Sequence, residues 1–408
     1  MCNTNLLVSG IFGAYRQRME TLPLPPEPAP LPPAPISAHR QVLAAYDRIG
    51  EADLPELWTT LRSSEDVLVE AKAVDVRVRA GEALPLAGLL AVAPPDAIAT
   101  RRLIEAGAVV LGEAASPADV VSDFVDIAIG ERVPAQPGVL VFTPTAGLVP
   151  GGLSVLARTV ADGQSVLSAI TGPDVDDPTS RPWPESVRLS AGERPHLAVR
   201  PGAGPAFRKA VGDLLAGGAT VETAVALAGH DALLAPAGSL ELTTVSTCAA
   251  DILVRPFDDQ IALDLAAYLN DEQLRIPYPA TGIDLVVFGA HLRGQPLNSR
   301  LVELGARFRG EARTASRYRM VALPGNQPGI LPAAQGSVLT GERWTISPAG
   351  LEKFLAGQPP AEIELEDGDT AIGLHCTTEA AGSCRDITEF GDWRAYLRYL
   401  TAIRPMSG

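Results

Sequence analysis

Five histidines, His39, His196, His230, His291 and His375, are the side chains in this sequence best suited to moving protons near neutral pH. His291 stands apart because it directly follows a predicted strand, residues 284–290, and precedes the turn Leu292-Arg293-Gly294. A strand end faces the rim of a sheet, where loops build pockets. An imidazole there with its ordinary pKa can give a proton to a leaving group or take one from a nucleophile. The plainer alternative is a histidine that only hydrogen-bonds across the strand end. Nothing around His39, His196 or His230 has ligand or triad spacing, so these three read as surface or structural residues. His375, Cys376 and Cys384 lack the paired short spacings of a zinc centre, and four cysteines are too sparse for a disulfide framework. Neither a metal nor a cofactor is expected.

The elements that must carry these residues fall into two groups. Residues 37–49 and 63–80 have helical spacing, the second with Val67, Leu68, Ala71, Val74 and Val78 and a capping start at Ser63 and Asp66. Short apolar runs at 89–93, 108–111 and 138–142 read as strands, separated by a helix at 96–106. Helical spacing is also read over 154–170, 205–215 and 247–269, with a strand at 196–199. This alternation is of the α/β kind. Residues 271–283, with Pro277 and Pro279, read as a linker. Beyond it strands dominate, at 284–290, 317–323, 336–346, 362–365 and 370–376, with a helix at 347–355 capped by Ser347 and a last helix at 392–402. The expected organisation is a proline-rich arm at 1–36, with eight prolines between Thr21 and Pro35, an α/β domain at 37–270, the linker, and a small α+β domain at 284–408.

Composition removes several classes of function. With 33 basic against 48 acidic residues and a net charge of -15, the chain repels nucleic acid. No apolar run reaches the roughly 20 residues of a membrane span, and the apolar start is interrupted by Arg16 and Arg18. A cytoplasmic protein acting on a small molecule is expected.

The run Leu84-Pro85-Leu86-Ala87-Gly88, then AGAVVLGEAASPADVV from Ala106, TAGLVPGGLSVLARTVADG from Thr145 and ITGPDVDDPTSRPW from Ile170 resemble, in order, the amidase signature family. VVFGAHLRGQPLNSRLVELGARF from Val286, RTASRYRMVALPG from Arg313 and RDITEFGDWRAYL from Arg385 resemble the C-terminal domain of allophanate hydrolases. The resemblance implies a truncated amidase-like mixed sheet with flanking helices, followed by a small γ-glutamylcyclotransferase-like α+β domain. It also implies an amide-splitting centre of two serines and a lysine, the lysine lying just beyond Leu84–Gly88. Here that stretch continues Leu89-Leu90-Ala91-Val92-Ala93-Pro94-Pro95-Asp96, and the chain's lysines are Lys72, Lys209 and Lys353. The glycine- and serine-rich segment implied before Gly147 is replaced by SDFVDIAIGERVPAQPGVL from Ser122, leaving Ser116 and Ser154 as nearby hydroxyls without a base.

In the C-terminal domain the resemblance implies a histidine, here His291, that serves decarboxylation of N-carboxycarbamate. The loop 288–294, with Gly289, Ala290, Leu292 and Arg293, is implied to hold a carboxylate through backbone amides. Arg293, Arg313 and Arg319 are the candidate cationic donors, His291 the proton donor and Tyr318 an orienting group. The helix at 350–358 ends without the acid that cyclotransferases use, so that activity is not expected. Asp386, Trp393, Arg394 and Tyr396 read as packing of the last helix. Two functions follow: a degenerate allophanate hydrolase acting through its C-terminal domain on a carbamate-like or carboxylated nitrogen compound, or a non-catalytic scaffold that forms a homodimer or docks a partner enzyme through the apolar stretch 247–269.

Overall fold

The computed structural model describes residues 37–403, apart from 133–135, 203, 280–281 and 326. The proline-rich arm expected at 1–36 lies outside the described residues. The first part of the chain supplies β1 (Trp58–Leu61), β2 (Leu90–Val92), β3 (Val109–Ala114), β4 (Ile127–Gly130), β5 (Leu140–Phe142), β6 (Ser154–Ala157), β7 (His196–Val199), β8 (Thr220–Thr223), β9 (Ala232–Pro236), β10 (Val245–Ser246) and β11 (Ala250–Leu253). They form one mixed sheet in the order β1-β3-β2-β4-β6-β5-β10-β11-β9-β7-β8.

Both faces of this sheet are covered, which explains why its strands read as nearly unbroken apolar runs. Along each strand, side chains alternate between two cores. Ala91, Val110, Ile127, Ile129, Phe142 and Val155 meet the helices Ile98–Glu105, Val160–Ile170, Pro205–Ala216 and Asp259–Leu269. Leu90, Val92, Val109, Leu111, Ala128, Val141 and Leu156 meet Ala38–Ala52, Ser64–Arg79 and Pro117–Asp123. The helix starting at Ser64 is capped as its sequence predicts, with Ser63 Oγ accepting from the Asp66 amide at 3.2 Å.

Two expectations are corrected. Residues 154–170 are a strand followed by a helix, because Ser154–Ala157 is a fully buried strand and Thr159 caps the helix only from Val160 onward. Residues 247–269 are helical only over Asp259–Leu269; the earlier part forms the β10–β11 hairpin. That helix buries Ile261, Ala262, Leu263, Leu265, Ala266 and Ala267 inside the chain, so it presents no broad apolar face to a partner.

The remaining strands are β12 (Ile283–Val287), β13 (Arg307–Arg313), β14 (Tyr318–Leu323), β15 (Gln327–Pro332), β16 (Thr340–Ile346), β17 (Ala361–Glu364), β18 (Thr370–Gly373) and β19 (Arg385–Asp386). They build a five-stranded sheet, β13-β16-β12-β18-β17, and a three-stranded one, β15-β14-β19. Leu285, Trp344, Ile346, Phe354 and Trp393 form the core between them and the helices Pro348–Leu355 and Trp393–Ile403. Ser347 Oγ accepts from the Gly350 amide at 3.3 Å, the cap expected from the sequence.

A buried ion pair ties β13 to the helix Asp259–Leu269. Arg307, 8% exposed, donates from Nη1 to Asp264 Oδ1 at 2.9 Å, to Oδ2 at 3.0 Å and to the Leu189 carbonyl at 3.1 Å; its Nη2 reaches the Leu274 carbonyl. Asp264 also accepts from the Ala191 amide and from Gln260 Nε2. Removing one partner of such a pair leaves a buried charge uncompensated. Arg307→Met is expected to lower unfolding free energy by about 3–5 kcal/mol, read as a lower urea midpoint, and Arg307→Met/Asp264→Leu is expected to regain part of the loss.

Candidate functional site

β12 ends in a short 3-10 turn, Gly289–His291, and Gly289 takes φ 75° there. A side chain at Gly289 would need a Cβ 2.2 Å from Pro328 of β15, so only glycine lets the turn lie against that strand. The turn is held from below by Leu297 N donating to the Ala290 carbonyl at 2.9 Å and Asn298 Nδ2 donating to the His291 carbonyl at 3.0 Å.

Between this turn, β15 and the end of β18 lies a cavity of about 390 Å³. Its chemically active lining is His291, His375, Cys376, Arg300, Gln327 and Gln358, set among apolar groups such as Val287, Phe354 and Ile330. The His291 ring packs edge-on against Phe354 with centroids 4.9 Å apart, and the His375 ring tilts against Tyr318 at 5.9 Å. Among the described residues, neither His291 Nε2 nor His375 Nε2 has a hydrogen-bond partner, although both atoms are buried. The Arg300 side chain makes no ion pair or hydrogen bond among the described residues, and the residue is exposed at the cavity.

Burial pushes the His291 pKa down, and the Arg300 cation pushes it the same way; burial alone lowers that of His375. Both imidazoles are therefore neutral near pH 7 in the free protein, which corrects the expectation of a His291 with its ordinary pKa. The Cys376 thiol is raised by burial, so it stays protonated rather than presenting a nucleophilic thiolate.

The residues named from the sequence divide clearly. His291 and Ala290 line the cavity, Gly289 supplies the turn behind them, and Leu292 is fully buried in the core. Tyr318 is buried behind His375, its hydroxyl accepting from the Glu364 amide at 2.9 Å. The three arginines chosen from the sequence do not line the cavity, and each has an acidic neighbour instead. Arg293 donates from Nε to Glu193 at 2.7 Å and stacks over Phe308 at 4.4 Å; Arg313 pairs with Glu366 at 3.0 Å; Arg319 lies 3.9 Å from Asp386. Arg300 and His375 line the cavity instead. Arg300 stood within the quoted motif, on the predicted-loop side of His291, and the cue missed was its position nine residues on, at the foot of the turn.

A second cavity, about 680 Å³, lies in the first part of the chain against the loop 143–152, with Asp177, Thr179 and Arg181 opposite. No lysine and no serine lines it. Lys209 bonds Asp213 at 2.7 Å, and Lys72 and Lys353 are exposed on helices. Ser154 is buried on β6 with Thr143 Oγ1 at 3.1 Å, and Ser116 Oγ donates to Asp119 at the start of its helix. Thr145 is committed to Asp259, donating from N and from Oγ1 at 2.6 Å each.

Residues 283–398 match the family model of the allophanate hydrolase C-terminal domain. The urea amidolyase of Saccharomyces cerevisiae is 31% identical over 144 residues, 32% of this chain, and that of Lachancea kluyveri is 28% identical over 154 residues, 34% of this chain. In both cases the match spans 8% of the relative's own length. Among solved structures, the Kluyveromyces lactis allophanate hydrolase superimposes with a TM-score of 0.71 at 16% identity, covering 90% of this chain and 98% of its own. The K. lactis urea amidolyase gives the same TM-score and identity, with 36% of its length covered. Carrying the amidase-like mixed sheet on one side and the matched domain on the other, this chain has the fold of an allophanate hydrolase, and its residues 283–398 resemble that family's C-terminal domain in sequence as well.

Proposed function

We propose that this chain acts through its C-terminal domain, as a lyase or hydrolase of a small carbamate-like or carboxylated nitrogen compound, and that its amidase-like part splits no amide. The observation that carries the proposal is the pair of buried, unpartnered imidazole nitrogens facing one cavity beside an unpaired arginine. Arg300 offers a fixed cation for a carboxylate. An anion drawn to it raises the pKa of the adjacent imidazoles, so proton uptake accompanies binding. In the step that follows, the N–COO⁻ bond breaks, carbon dioxide leaves, and the nitrogen takes the proton from the His291 imidazolium, which solvent then restores. His375 hydrogen-bonds the same ligand, and Tyr318 positions His375 from behind. In the amidase-like part Ser154 lies 3.1 Å from Thr143, Ser116 donates to Asp119 and Lys209 is bonded to Asp213, so none of these forms the serine–lysine pair that would activate a nucleophile. Against the scaffold reading stands the helix Asp259–Leu269, most of whose apolar residues pack into the chain's own core.

Three outcomes test this. Carbon dioxide release from N-carboxylated amides should fall by about 100-fold or more in His291→Ala; unchanged turnover in that variant removes the assignment. In a proton NMR titration of the free protein, His291 and His375 should titrate below ordinary histidine, the neutral form persisting to lower pH, and Arg300→Met should move His291 upward while leaving His375 in place. A serine-directed fluorophosphonate should label no residue of the amidase-like part, as judged by intact mass.

A further inference from the structure

At the far end of the large sheet, away from the cavity just described, three ligand-type side chains converge. His196 opens β7, Glu222 lies on β8, and His230 stands in the turn before β9. The parallel register pairs His196 with Thr220 and Ala198 with Glu222, so His196 and Glu222 project from the same face of neighbouring strands. One ligand atom from each of the three lies within 4.8 Å of the others. His230 Nε2 is 3.2 Å from Glu222 Oε2, His196 Nε2 is 3.8 Å from the same oxygen, and the two imidazole rings are 4.5 Å apart.

The hydrogen-bond directions at His230 are specific. Its Nδ1 lies 3.0 Å from the Leu227 carbonyl, which can only accept, so Nδ1 carries a hydrogen. In the neutral ring, Nε2 then presents a bare lone pair, and it faces a carboxylate oxygen that is also an acceptor. A positive centre between them would pair both, and His196 Nε2 lies close enough to share it. One divalent cation satisfies all three groups together. The separations suit it, because ligands about 2.1 Å from a tetrahedral ion stand about 3.4 Å from one another.

We propose that His196, Glu222 and His230 bind one divalent transition-metal ion of the zinc class, with water completing a four-coordinate shell. The donor set, two imidazoles and one carboxylate, is of the borderline kind that selects zinc, cobalt or nickel over calcium or magnesium. His230 is the rigid ligand: it is buried, its amide donates to the Leu227 carbonyl at 2.9 Å, and its carbonyl accepts from Arg255 at 2.7 Å. The Leu227 carbonyl fixes its tautomer in the way backbone acceptors orient metal-bound histidines. Asp231 is not the fourth ligand, since Arg188 at 2.7 Å and the His196 amide at 2.8 Å occupy it. β8 is the last strand of the sheet, so the ion would clip that edge strand to β7 and to the start of β9.

The test uses the full chain, stripped with a chelator and dialysed, titrated with Co2+ by visible absorption and with Zn2+ by calorimetry. One equivalent is expected to bind with the absorption of a four-coordinate cobalt, to raise the melting temperature, and to bind at least about tenfold more weakly in Glu222→Gln and His196→Ala. Both changed side chains are exposed, so these variants keep the fold, as circular dichroism will check. His291→Ala is expected to leave metal affinity unchanged, which separates this site from the C-terminal cavity. Failure of the stripped protein to take up either ion, or equal affinity in the parent and both variants, overturns the assignment.

Discussion

The contact on which the rest of the arrangement depends is the ion pair between Arg307 and Asp264. Arg307 stands at the first position of β13, and Asp264 at the middle of the helix that fills the core of the large sheet. A guanidinium and a carboxylate at this depth are tolerable only if each remaining donor and acceptor is satisfied. Leu189 and Leu274 offer carbonyls to the arginine, while Ala191 and Gln260 donate to the aspartate. Gln260 in turn bonds Gln164 and accepts from the Tyr278 amide, so the network reaches from the second half of the chain into two helices of the first. Directional polar bonds of this kind specify one placement of β13, where apolar packing alone would accept several.

That placement determines the cavity by register. β13 pairs antiparallel with β16, with a register shift between Phe308 and Gly310, and β16 pairs antiparallel with β12, so Arg307 opposite Thr345 and Ile283 opposite Ile346 bring the end of β12 to a defined height. The 3-10 turn carrying His291 begins there, and β18, parallel to β12, brings His375 to the same end. Buried Glu342 holds the opposite side of the turn, accepting from the Arg293 amide at 2.9 Å and from Arg394. The last helix thus supports the turn through a charge pair, which is the packing role expected of Arg394, and on the same helix the Trp393 and Tyr396 rings pack on one another with centroids 5.4 Å apart.

Much of this was legible in the sequence, and the misses have physical causes. Caps at Ser63 and Ser347 depend on residues three positions apart, which a sequence displays directly. The strand within 154–170 and the hairpin within 247–269 were read as helix because short runs buried on both faces have no period to reveal. His291 is expected at a rim because a strand end followed by a glycine turn is local, and the turn Gly289–His291 carries it to the edge of a cavity. The arginines were misplaced because their partners are remote: Glu193 is 100 residues from Arg293 and Glu366 is 53 from Arg313. The His196, Glu222 and His230 group was missed for the same reason, since three neighbouring strands bring together residues that no spacing rule connects.

What distinguishes the two cavities is how their polar groups are satisfied. Around the larger one, Thr145 is bonded to Asp259 and Gly151 to Asp177. Asp259 shows the extent of this: burial drives its pKa up while two bonds from Thr145 hold it down. Among the described residues, the buried side-chain atoms without a partner are the Nε2 atoms of His291 and His375, and both face the smaller cavity. Leaving such a group unpaired costs about 1–3 kcal/mol. The pair is intelligible if its missing partners come from outside the chain, as a carboxylated ligand or the water it displaces.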